Sequence, residues 1–138
     1  MTVSHKNKTF ATLLGFLLGG LGAHRFYLRG AKDGWGWAHL ACLPATALVA
    51  VAAPGANWFY QIMPLTLSVL VGFLEALVLG LMSDEKWDAG FNAGSGRQSD
   101  STWPLALILV ATLMLGAGGL IATISRLFDL LYTGGAYG

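Results

Sequence analysis

Three long stretches of this chain carry no Asp, Glu, Lys or Arg: Thr9 to Ala23, Gly34 to Leu74 and Ser101 to Ser125. Lipid-spanning helices need about 20 predominantly apolar residues each, and turn residues divide these stretches into four such segments. The pattern predicts helices from Thr9 to about Leu28, Gly34 to Ala53, Trp58 to about Met82 and Trp103 to about Leu131. Pro54-Gly55-Ala56-Asn57 reads as a turn, and Ser83 to Thr102 as the one extended polar segment, a solvent loop. Trp35, Trp37 and Trp58 stand where interface anchors belong. The second segment is alanine-rich and holds Pro44, which removes one helix hydrogen bond. It is expected to be short and kinked, with a re-entrant segment as the alternative. The predicted fold class is an all-α integral membrane protein, a small helical bundle of about four transmembrane helices forming one membrane domain over residues 1–138.

Small residues recur every fourth position on two of these segments. Ala11, Gly15, Gly19 and Ala23 share one face of the first, and Ser68, Gly72, Ala76 and Gly80 one face of the third. Close backbone approach is what holds helices together in lipid, so the two faces are expected to pack on each other within the monomer, a dimer face being the alternative. Glu75 interrupts the third segment three residues from Gly72, which turns it toward protein rather than lipid. Arg126 and Asp129 stand at pairing distance near the end of the last helix.

Composition agrees with a membrane chain: 55% of residues are hydrophobic, mean hydropathy is +0.62, and the 11% charged share is under half of the ~25% usual in soluble domains. A net charge of +1 without a basic stripe argues against a nucleic-acid partner. Cys42 is the only cysteine, which excludes an intrachain disulfide and a cysteine metal cluster. His39 has no ligand at sequence spacing beside it, so no metal or other cofactor is expected. Nucleophile-elbow, zinc-ligand and phosphate-loop patterns are missing, and no catalytic residue is assigned; the chain is expected not to be an enzyme.

The segment Gly19-Gly20-Leu21-Gly22-Ala23-His24-Arg25-Phe26-Tyr27-Leu28-Arg29-Gly30 changes abruptly from glycine-spaced apolar to basic and aromatic. It resembles the signature of the TM-two domain family, small membrane proteins built around two closely connected transmembrane helices. Gly22, His24, Arg25, Phe26, Tyr27 and Gly30 carry the resemblance. Gly72-Phe73-Leu74-Glu75 through Asp88-Ala89-Gly90 is similar to the family's second helix with its intramembrane acidic residue, so the family-like region is taken as 6–92, with Gly34 to Ala53 inserted and an extra helix at 103–131. The alternative makes Gly34 to Ala53 the family's second helix and leaves Glu75 unrelated. The resemblance implies no biochemical activity.

Four spans would put loops 24–33 and 83–102 on one side with five Lys and Arg residues, against Lys6, Lys8 and Arg126 on the other. The bias makes both loops cytoplasmic and both termini external, in the cell (inner) membrane. Arg25 is expected to pair with Glu75, with His24 as the alternative. The function expected is that of a non-enzymatic helix-packing module or accessory subunit, whose partners are the lipid bilayer and other membrane subunits or a second copy. The alternative is a minimal transporter or ion-conducting oligomer using Glu75, with His39 beside it.

Overall fold

The computed structural model describes residues 4–137, which form helices and, among the described residues, no strand. In order these are α1 (Lys8–Leu18), a 3-10 turn (Gly19–Leu21), α2 (Ala23–Arg29), a second 3-10 turn (Gly30–Lys32), α3 (Gly34–Ala52), α4 (Trp58–Gln61), α5 (Met63–Gly80), α6 (Asp84–Phe91) and α7 (Trp103–Thr133). Three of them, α3, α5 and α7, are long and apolar enough to cross a membrane; α1 is a shorter apolar helix.

The first predicted span is therefore not one helix. α1 stops after 11 residues, and the chain reverses at Gly22, whose φ of 75° lies in the left-handed region that side chains other than glycine rarely adopt. A Cβ there would also meet the Gly36 carbonyl oxygen at 2.6 Å. α2 then runs back beside α1. The Tyr27 hydroxyl accepts from the Asn7 backbone N–H at 2.9 Å, and the Tyr27 ring meets Phe10 edge-on at 5.0 Å. α1 and α2 thus form a hairpin that begins and ends on the same side of the molecule. Ala23, expected on the α1 face, belongs to α2 instead.

The expectation of a short second span is corrected as well. α3 is a continuous 19-residue helix through Pro44, capped by Asp33, whose carboxylate accepts from Trp35 N–H at 2.9 Å and Gly36 N–H at 3.1 Å. The third segment divides at Ile62 into α4 and α5, and Pro64 falls in the first turn of α5, where a missing N–H is harmless.

Segment 83–102 contains α6, with the Ser83 hydroxyl accepting from Lys86 N–H as its cap. Trp87 is fully buried and its indole donates to the Lys6 carbonyl at 3.0 Å. Asn92 and Lys6 exchange two hydrogen bonds, at 2.5 and 3.0 Å. Lys8 reaches Met82 O at 2.7 Å and Asp84 at 2.6 Å. The N-terminal segment consequently lies on the same side as 83–102, not opposite it, because the hairpin returns the chain to where it began.

α5 is the central helix. The two small faces meet across α1 and α5: Gly15 opposes Ala76, Gly19 opposes Gly72, and Gly80 sits against Thr12. α7 covers another side of α5, with Gly116 against Phe73 and Gly119 near Leu70. The largest fully buried side chains are Trp87, His24, Thr12 and Thr112, whereas Val51, Leu74, Met114 and Ile121 are exposed. Small and polar groups inside with large apolar groups outside is the arrangement lipid favours, since leucine gains nothing by leaving it. Arg126 and Asp129 pair at 2.5 Å near the end of α7.

Candidate functional site: the Glu75 cluster

Glu75 collects side chains from three segments far apart in sequence. Arg25 of α2 forms an ion pair with its Oε2, and His24 Nε2 lies 3.2 Å from the same oxygen. His39 of α3 approaches Oε1 with Nε2 at 2.7 Å. α2 brings adjacent residues His24 and Arg25 to one carboxylate, and α3 brings His39 down the opposite wall. Arg25, the partner expected from the sequence, and His24, the alternative to it, both reach the carboxylate.

His39 is held from behind. Its Nδ1 lies 2.7 Å from Ser68 Oγ, and that hydroxyl donates its own proton to the Gly20 carbonyl at 2.6 Å. With the hydroxyl proton committed, Ser68 accepts from His39 Nδ1–H, and in neutral His39 the Nε2 lone pair points at Glu75. Gly20 can offer its carbonyl because it lacks a side chain; a Cβ would stand 2.6 Å from Val69 Cγ2. Ser68, expected as a small packing residue, therefore also orients a histidine.

Arg25 is shared. Its Nη1 lies 3.5 Å from Asp33 Oδ2, and Arg29 Nε is 3.9 Å from that oxygen. Burial works against the Asp33 charge, yet the Gly36 and Trp35 amides, aided by Arg25 and Arg29, hold its carboxyl below the usual range. Asp33 escaped the sequence reading, although an Asp directly before an apolar segment is a helix N-cap signal. His24 is fully buried, and its Nδ1 is without a partner among the described residues. A cavity of about 300 Å³ opens beside the cluster, lined by Arg25, Arg29 and Glu75 on one side and Leu79, Met82 and Phe91 on the other.

The remaining expected residues serve packing. Ala11 and Ala76 are fully buried. Phe26 presses its ring edge on Gly36, where a Cβ would meet it at 2.9 Å, and stacks edge-on against Trp37 at 5.3 Å. Gly30 ends α2 with a φ of 73°. Every residue of the basic aromatic signature that bears a side chain thus contacts α1, α3 or α5.

Residues 4–52 match the family model of the TM2 domain. The match ends with α3, so it takes in the segment read above as an insertion and stops short of Gly72 to Gly90. No curated protein and no solved structure matches the chain. The hairpin, the signature at its bend and α3, residues 4–52, are accordingly the part of this membrane chain that is similar to the TM2 domain.

Proposed function

We propose that this chain is a non-enzymatic integral membrane module that docks onto other membrane subunits or onto a second copy of itself. The observation that supports the reading is the closure of Glu75, whose two oxygens are engaged by Arg25, His24 and His39. The polar residues of the interior are thereby used to fasten α2 and α3 to α5, and the small faces of α1 and α5 are consumed within the monomer. What is left to meet partners is the apolar outer surface and the basic end.

The charge distribution supports an orientation. With α3, α5 and α7 as spans and the α1–α2 hairpin entering and leaving on one side, Arg126 is the only one of the eight Lys and Arg residues at the far end. Seven against one favours an orientation with the segment before α1 and segments 24–33 and 83–102 in the cytoplasm and the end of α7 outside, in the cell (inner) membrane.

Purification in mild detergent followed by mass measurement tests the reading, with a stable co-migrating subunit or a defined self-assembly as the expected result. A minimal transporter is the second reading, favoured by the polar line Glu75, His39, Ser68 and Gly20 O that continues between the helices. A pH-dependent cation flux in liposomes, lost in Glu75→Gln, would put that reading first.

A further inference from the structure

We propose that His24, His39 and Glu75 bind one transition-metal ion of the zinc class, a site independent of the module's docking partners. The three residues each offer a ligand atom, and these atoms lie within 4.8 Å of one another. Two imidazoles and one carboxylate suit zinc, which binds nitrogen and oxygen at about 2.0–2.2 Å. Ligands of a tetrahedral ion are then about 3.4 Å apart. His39 Nε2 lies 2.7 Å from Oε1, and with all three ligand atoms within 4.8 Å of one another small rotations bring the set to that spacing.

The surroundings of His39 and Glu75 are those of metal ligands. A liganding histidine characteristically donates its other N–H to a fixed acceptor, and His39 Nδ1 does so to Ser68, itself oriented by the Gly20 carbonyl. That bond fixes the tautomer which aims the His39 Nε2 lone pair at a carboxylate oxygen. Two lone pairs 2.7 Å apart repel unless a proton or a cation lies between them, and a metal ion satisfies both together with His24. A liganding carboxylate is in turn hydrogen-bonded through its second oxygen; here Arg25 holds Oε2 and leaves Oε1 to the ion. Asp33, 3.5 Å from Arg25, offsets the guanidinium charge, so Arg25 does not by itself cancel Glu75. A water in the cavity of about 300 Å³ lined by His24 and Glu75 would supply the fourth ligand.

The ion would tie α2, α3 and α5 at one point, joining the α1–α2 hairpin to the central helix. The test uses the tag-free full chain in mild detergent, stripped with chelator and titrated with Co²⁺ while visible absorption is recorded. One equivalent of Co²⁺ per chain is expected, with intense tetrahedral bands that one equivalent of Zn²⁺ abolishes. His39→Gln and Glu75→Gln should lose the bands, and Ser68→Ala should weaken binding about 10–100-fold, whereas His5→Asn and Cys42→Ser should bind as the parent does. Binding should release protons and weaken in acid, because metal and proton compete for the same lone pairs. Ser68→Ala and the proton release keep the test decisive should the ligand variants misfold. Absence of stoichiometric binding by the parent chain, unaltered binding by Ser68→Ala, or bands that vanish in His5→Asn would each overturn the site.

Discussion

Gly19 and Gly72 meet backbone to backbone: a Cβ on Gly72 would stand 2.6 Å from the carbonyl carbon of Gly19, and one on Gly19 would stand 2.9 Å from the Gly72 Cα. No flexible side chain can yield at this contact. Gly19→Ala and Gly72→Ala should therefore force the helices apart and lower the thermal aggregation temperature in detergent, each costing about 1–3 kcal/mol by overpacking. Gly118→Ala on the open face of α7, with nothing within 4 Å, should be neutral or stabilise by up to about 1 kcal/mol through helix propensity. Equal behaviour of the three variants would dismiss the backbone contact as a stability determinant.

Arg25 and Glu75 should be energetically coupled. Breaking a buried pair from one side leaves an uncompensated charge and costs about 3–5 kcal/mol; with both side chains about one-fifth exposed, Glu75→Gln and Arg25→Gln should lie at or below the low end of that range. The double variant should lose less than the sum of the single losses, because the orphaned charge disappears. Arg25→Gln should be the more damaging of the two, since Asp33 also loses its nearest cation. Denaturation in mixed micelles measures all three, and strictly additive losses would refute the coupling.

Three spans and a returning hairpin make a topological prediction that differs from a four-span bundle. In a Cys42→Ser background, cysteines replacing Ser4 and Arg97 should react with an impermeant reagent from the same, cytoplasmic side. One replacing Tyr137 should react from the other. Labelling of the Ser4 and Arg97 positions from opposite faces would restore the four-span bundle.

The Lys8 to Asp84 contact gives a pH dependence. Hydrogen bonds from Lys8 and then Ser101 hold the Asp84 carboxyl down to about 2, whereas an unfolded Asp titrates near ~3.9. The unfolded state binds the proton more readily, so the contribution is fully present above ~pH 5 and disappears as the pH falls through ~4 toward 2. Solvent screening limits it to about 1 kcal/mol. The melting temperature of Asp84→Asn should lie below the parent's at pH 6, and the gap should narrow by about half at ~pH 3 and close below ~pH 2. A gap that persists unchanged at pH 3 would show that the ionised contact contributes nothing.

Much of this architecture was legible along the chain. Charge-free stretches marked the apolar helices because lipid does not tolerate unpaired charge, and a period of four in small residues marked the α1 and α5 faces because close approach needs small side chains on one helix face. Glu75 announced itself as a polar group in an apolar run. The His24-Arg25-Phe26-Tyr27 signature pointed to the family.

What the sequence could not determine was the path between those elements. Gly22 reads equally as part of a glycine-spaced helix or as a reversal, and only the fit of its backbone against Gly36 decides for the reversal. That one turn puts Lys6 and Lys8 on the α6 side, converts a four-span count into three spans with a hairpin, and swings His24 and Arg25 onto Glu75. His39, 36 residues from Glu75 along the chain, has no local pattern that names its partners, because a side-chain cluster of this kind exists only where α2, α3 and α5 converge. Local periodicity fixes which face of a helix is buried; the relative placement of helices depends on backbone contacts between distant glycines, and those are a property of the folded chain alone.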